Sequence, residues 1–81
     1  MSEVTLYTRR DCGLCDEAAD ELAALRHELG FALRTIDIDT DDELRERFND
    51  VVPVVAVGER VVAQAPIAPG SLREAVAAAI G

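Results

Sequence analysis

The sequence predicts a single α/β domain over residues 1–81, with element order β-α-β-α-β-β-α and one four-stranded mixed sheet flanked by three helices. Three observations carry this. A strand-like Val4-Thr5-Leu6-Tyr7 is followed by a long Ala/Leu/Glu helical pattern and a second apolar run, Phe31 to Ile38. Strand–helix–strand within about 35 residues is a βαβ unit, whose strands run parallel with a right-handed crossover. A second pair of apolar runs is separated only by Gly58-Glu59, and two Ser/Thr-x-x-Glu signatures mark the starts of shorter helices.

The first strand reads from Glu3 to Tyr7. The first helix, from about Cys12 to Leu29, places Ala18, Leu22, Leu25 and Leu29 on one face and most of its acids outside, and Gly30 is its natural stop. Residues 31–38 form a strand with apolar residues on both faces, as expected where helices cover it. Thr40 as N-cap, with Glu43 three residues on, opens a short helix to about Phe48 that buries Leu44 and Phe48. Val51-Val52-Pro53 leads into Val54-Val55-Ala56-Val57, rich in β-branched side chains. Arg60 to Ala63 returns as the antiparallel partner. Residues 64–70 hold two prolines and a glycine and read as a loop. Ser71 with Glu74 opens the last helix, with Leu72, Ala75, Val76, Ala79 and Ile80 inward. The parallel unit and the hairpin share the sheet, the first and last helices on one face and the short helix on the other. That is a minimal thioredoxin fold.

Composition narrows the function classes. The chain has 81 residues, near the lower end of what one core supports unaided. With three aromatic residues, Tyr7, Phe31 and Phe48, the core rests on Val, Leu, Ile and Ala. Net charge is −8 and all eight cations are Arg, so no basic stripe is offered to nucleic acid or to an anionic membrane surface. No stretch approaches the roughly 20 apolar residues of a membrane span. Met1-Ser2-Glu3 runs straight into the first strand without a leader pattern, and a cytoplasmic location and a monomer are expected.

Both cysteines lie in Thr8-Arg9-Arg10-Asp11-Cys12-Gly13-Leu14-Cys15, between the first strand and the first helix. Unpaired N–H groups of a helix's first turn stabilise a thiolate at Cys12. Cys15, one turn on, is within bridging distance of it. A free cysteine, with a pKa near 8.5, is only about 3% thiolate at pH 7. The helix terminus, Arg9, Arg10 and the Cys15 S–H lower that value, whereas Asp11, Asp16 and Glu17 oppose the change. Burial should keep the Cys15 thiol raised.

Other uses of the pair fit the sequence less well. A CxxC is half a zinc site, but no second pair exists, and His27, twelve residues along the same helix, lies about 18 Å from Cys15. Zinc or an iron–sulfur cluster would need a second chain or external thiols, so no metal is assigned. His27 is read as solvated and Tyr7 as core packing.

These residues resemble the glutaredoxin-like branch of the thioredoxin superfamily over essentially the whole chain. The matching features are Leu6-Tyr7-Thr8-Arg9, Cys12-Gly13-Leu14-Cys15, Val52-Pro53 opening a strand, and Gly58 in the hairpin. The resemblance implies a thiol–disulfide oxidoreductase in which Cys12 attacks, Cys15 resolves, and Pro53 is a cis-proline beside them. Val52 would offer its backbone to a bound thiol or peptide, and Arg9 stands where glutaredoxins carry a cation; Arg10 is a further candidate. The redox-active disulfide is itself the redox group and no separate cofactor is implied. The partners expected are a disulfide-bearing protein or a low-molecular-weight thiol such as glutathione.

Two departures stand out. The motif holds Gly13-Leu14 where glutaredoxins commonly have Pro-Tyr, and Gln64 to Gly70 stands where they have a Gly-Gly-acidic carboxylate cradle. Glutathione is therefore expected to be a poor partner. Two other functions remain open from the residues: an adaptor binding partners at the Val52-Pro53 edge, or a carrier of a cluster shared by two protomers.

Overall fold

Alternation along the two central strands decides which side chains meet. In the computed structural model, which describes residues 2–68 and 70–81, β1 (Glu3–Thr8) pairs parallel with β2 (Ala32–Asp37) and antiparallel with β3 (Val54–Val57). β4 (Arg60–Gln64) closes the sheet antiparallel to β3, giving the order β2-β1-β3-β4. Three helices complete the chain: α1 (Gly13–Leu29), α2 (Asp42–Phe48) and α3 (Ser71–Ile80). The predicted element order and four-stranded mixed sheet are those observed.

The register sets Val4 opposite Val57 and Leu6 opposite Val55. All four belong to the apolar layer that receives Ala18, Leu22 and Leu25 of α1 and Leu72 and Val76 of α3. Tyr7, opposite Val54, faces the other way, where Ile38 and Phe48 form a second, smaller core. Burying a side chain of this size stabilises the fold by about 1.5–3 kcal/mol, so the fully buried Leu6, Leu22 and Leu72 anchor the first layer. Tyr7 is packing against Phe48, with ring centroids 4.8 Å apart. His27 is exposed, as expected.

Several local expectations are corrected. β2 is an edge strand whose residues are exposed or half-buried, not covered on both faces; its half-buried Leu33 packs against the layer that α1 and α3 cover. Its flanking residues Phe31 and Ile38 do the burying, at 3% and 0% exposure. Thr40 does not cap α2. Residues Ile38–Thr40 form a 3-10 turn in which the Thr40 hydroxyl donates to the Asp37 carbonyl, and Asp41 caps instead, its Oδ1 accepting from Glu43 N at 2.9 Å and Leu44 N at 3.3 Å. The Ser71 box is also unmade. Ser71 is the first helical residue and its hydroxyl donates to the Ala68 carbonyl, while Gly70, in the left-handed region at φ 83°, occupies the cap position.

The anticipated stop at Gly30 is present, with φ 73° and its N–H on the Arg26 carbonyl at 2.9 Å. Gly58 opens the two-residue turn at φ 61°. An unforeseen bulge shifts the β3–β4 register between Val55 and Ala56.

Candidate active site

The turn out of β1 delivers the first cysteine to the end of a helix. Asp11 adopts φ 55°, a left-handed conformation that Asp tolerates better than most residues, and reverses the chain between the strand and α1. Cys12 is then the N-cap, with extended dihedrals (φ −115°, ψ 101°), so α1 begins one residue later than its sequence pattern suggested. Its carbonyl accepts from Asp16 N at 3.1 Å and its Sγ from Cys15 N at 3.2 Å. The sulfur thus takes the place a Ser or Asp oxygen holds in an ordinary cap, against one of the helix's unpaired donors.

Cys12 and Cys15 are joined as a disulfide, their Cα atoms 5.2 Å apart. Cys12 is half-buried and Cys15 is 1% exposed, so the outer sulfur is the one open to attack from solution. This asymmetry is what a two-step exchange needs. One sulfur meets the partner while the other waits beneath it.

Val52-Pro53, in the connection from α2 to β3, has a cis peptide bond, as the resemblance implied. Ala65-Pro66 is also cis, which nothing in the sequence announced. Among the described residues, the Val52 N–H and carbonyl have no hydrogen-bond partner, although Val51 and Pro53 on either side both accept from Ala65 N at 3.1 Å. Those two bonds tie the segment after β4 to the proline loop. The result is a groove of about 220 Å³ beside the disulfide, with Leu14, Ala18, Pro53, Ala65 and Ile67 in its lining.

Arg9 behaves differently from a free site cation. Its Nε donates to Asp39 Oδ2 at 3.2 Å, NH2 to Asp39 Oδ1 at 3.1 Å, and NH1 to the Asn49 carbonyl at 3.3 Å. The paired carboxylate offsets much of the field that Arg9 could exert on Cys12. The hydrogen bond to Asp39 is also the main reason the Arg9 guanidinium is held still more firmly protonated and the Asp39 carboxyl is lowered. Arg10 is exposed and forms no ion pair among the described residues. Asp39 and Asn49 are the site neighbours that sequence reasoning missed; they come from positions 30 and 40 residues away, with no local signal. Among the described residues no cluster of three metal-ligating side chains exists, and no helix is long and apolar enough to cross a membrane.

A CxxC disulfide at a helix N-terminus and a cis-proline that shares a groove with Leu14 of the motif, on a β-α-β-α-β-β-α frame, define a thioredoxin-fold protein. Within that class the chain belongs to the glutaredoxin-like family: residues 3–77 match the family described as Glutaredoxin-like domain (DUF836). It is 41% identical over 63 residues to the uncharacterized protein Rv0508 of Mycobacterium tuberculosis and equally to Mb0520 of Mycobacterium bovis. The matched stretch spans 72% of this chain and 65% of each relative. Among solved structures, protein XcR50 of X. campestris superposes with TM-score 0.77 at 33% identity, covering 93% of this chain and 96% of that one. Protein Ne2328 of Nitrosomonas europaea gives 0.72 at 28%, covering 82% and 80%. Thioredoxin-2 of the malaria parasite, at 17% identity, TM-score 0.64 and coverage of 99% and 81%, shares the fold.

Proposed function

We propose that the protein is a thiol–disulfide oxidoreductase that exchanges its Cys12–Cys15 disulfide with partner thiols through a mixed disulfide. The observation that carries this is the capped, half-buried Cys12 sulfur in a disulfide with the buried Cys15 at the start of α1.

In the reducing direction Cys12 loses its proton and the thiolate attacks one sulfur of the partner's disulfide. That S–S bond breaks, the leaving sulfur takes up a proton, and Cys12 is left in a mixed disulfide. Cys15, also deprotonated, attacks the Cys12 sulfur; the partner's second thiol leaves and the Cys12–Cys15 bond forms. Two electrons pass from the protein to the partner, and two thiol equivalents of low molecular weight, or a reductase dithiol, restore the protein. The half-buried backbone of Val52, unpartnered among the described residues, would align the partner chain, as a strand added to an edge is aligned. Arg10, the unpaired neighbouring cation, would favour the thiolate, with Arg9 acting mainly to hold the loop. We place this activity in the cytoplasm and in a monomer.

The test is stoichiometric. Fully reduced protein mixed with a peptide disulfide should generate peptide thiols in step with loss of its own two thiols. Binding of the peptide without thiol release would favour the adaptor function. Freshly purified protein that is coloured and rich in iron would favour the shared cluster.

A further inference from the structure

The groove beside the disulfide has a chemical character that the redox pair does not require. Its near end is Leu14, between the two cysteines, which at 59% exposure is one of two large apolar side chains left exposed among the described residues. Ala18, Pro53, Ala65 and Ile67 continue the apolar lining away from it. The remaining lining residues are Glu17 and Glu21, one turn apart on α1. Neither glutamate has an ion-pair partner among the described residues, and Glu21 is half-buried. Like charges at i and i+4 on a helix repel each other, and both positions lie beyond the first turn, where the helix terminus would favour them. Among the described residues no Arg lines the groove.

We infer that this groove is a specificity site for protein disulfides whose half-cystine is flanked by an apolar residue and a Lys or Arg. The inference rests on the thiol–disulfide function proposed above and names the substrate class of that same site. The apolar side chain lies on Leu14, Ala18 and Ile67, where its burial supplies the non-directional part of the affinity. The cation meets Glu17 and Glu21 and relieves their mutual repulsion. Val52 is adjacent in the chain to the groove residue Pro53, so a partner chain paired to it would run along the groove. Anionic ligands, small peptide thiols included, meet two carboxylates there. An occupant of this kind turns the protein's −8 charge into an attraction.

The test uses two peptides of equal length, each a symmetric dimer through one disulfide, with a leucine beside the half-cystine and either Arg or Glu two residues beyond. Protein with both cysteines reduced converts each dimer to two peptide thiols as its own Cys12–Cys15 bond forms, so electrons balance without a further reductant. One exposed ion pair is worth roughly 1.4- to 5-fold. Attraction of Arg and repulsion of Glu together should make the Arg peptide about 2- to 25-fold faster in second-order rate constant at about 0.01 M salt, falling toward equality at about 1 M. In the double variant Glu17→Gln, Glu21→Gln the ratio of the two rates should approach one, and Glu17→Arg, Glu21→Arg should invert it. Equal rates for the two peptides at low salt with the unaltered protein would overturn the groove assignment while leaving the redox function standing. A preference that persists in the Gln variant would also overturn it. If neither peptide is reduced, the redox function fails and this inference fails with it.

Discussion

Arg9 grips Asp39 through both carboxylate oxygens, at 3.2 and 3.1 Å, and reaches the Asn49 carbonyl at 3.3 Å. This pair fastens the end of β1, three residues before Cys12, to the 3-10 turn after β2 and to the C-terminus of α2. The cation is therefore a clamp on the loop that presents the Cys12–Cys15 disulfide.

The clamp carries a pH signature. The Asp39 carboxyl is lowered, mainly by the Arg9 hydrogen bond, so its folded value lies below its unfolded one, near 3.9. A group of that kind contributes stability that is present above the unfolded value and lost as pH falls through the folded one. The stability difference between the protein and Asp39→Asn should thus be full above about pH 5 and shrink below about pH 4. Arg9 stays charged throughout that range and adds no window of its own. Urea denaturation across these pH values measures the difference; one that stays constant to the lowest pH would exclude the clamp's role in stability.

The two cysteines should part company on substitution. Cys15→Ser keeps the outer thiol and should stall at a mixed disulfide that mass spectrometry detects, whereas Cys12→Ser should trap nothing. Capture of the same partners by both variants would contradict the assignment. Mild oxidation of the unaltered protein should remove two hydrogens and leave no thiol to alkylate.

Asp41, not Thr40, caps α2, and the two residues should differ accordingly. Asp41→Ala should destabilise the protein by about 0.5–2 kcal/mol, the usual effect of losing an N-cap. Thr40→Ala should have a smaller effect, because its hydroxyl bonds only a solvent-exposed carbonyl in the preceding turn. Chemical denaturation of both variants ranks them, and a larger loss at Thr40 would reverse the assignment.

Glutathione should serve poorly. Where the glutaredoxin resemblance would place a cradle for one of its carboxylates, this chain has a loop in which Ala65 N already donates to Val51 and Pro53 and Pro66 has no N–H. The rest of that expectation falls on Pro69, which lies outside the described residues. Losing one charge-assisted hydrogen bond weakens binding by about 1.5–3 kcal/mol, or roughly 10–100-fold. Glutathione-dependent disulfide reduction should run slower than with an ordinary glutaredoxin by a factor of that order, and equal rates would refute this.

Periodicity and punctuation by themselves determined the element order, because the strands read as β-branched or apolar runs and α1 as a 3.6-residue pattern closed by Gly30. They also marked the disulfide pair, since a CxxC between a strand and a helix needs only local geometry to bring its sulfurs together. Cap residues were legible in kind but displaced by one position at both short helices. There Thr40 and Ser71 bond to nearby carbonyls instead, a local competition that composition does not resolve. Tertiary structure alone decided that β2 lies at the sheet edge, that Arg9 meets Asp39, and that Ala65 docks on Val51 and Pro53 to form the groove. Each of those joins segments distant in sequence, and which segments meet is settled by strand order and by the packing of α1 and α3 on one sheet face, a global arrangement that no local pattern encodes.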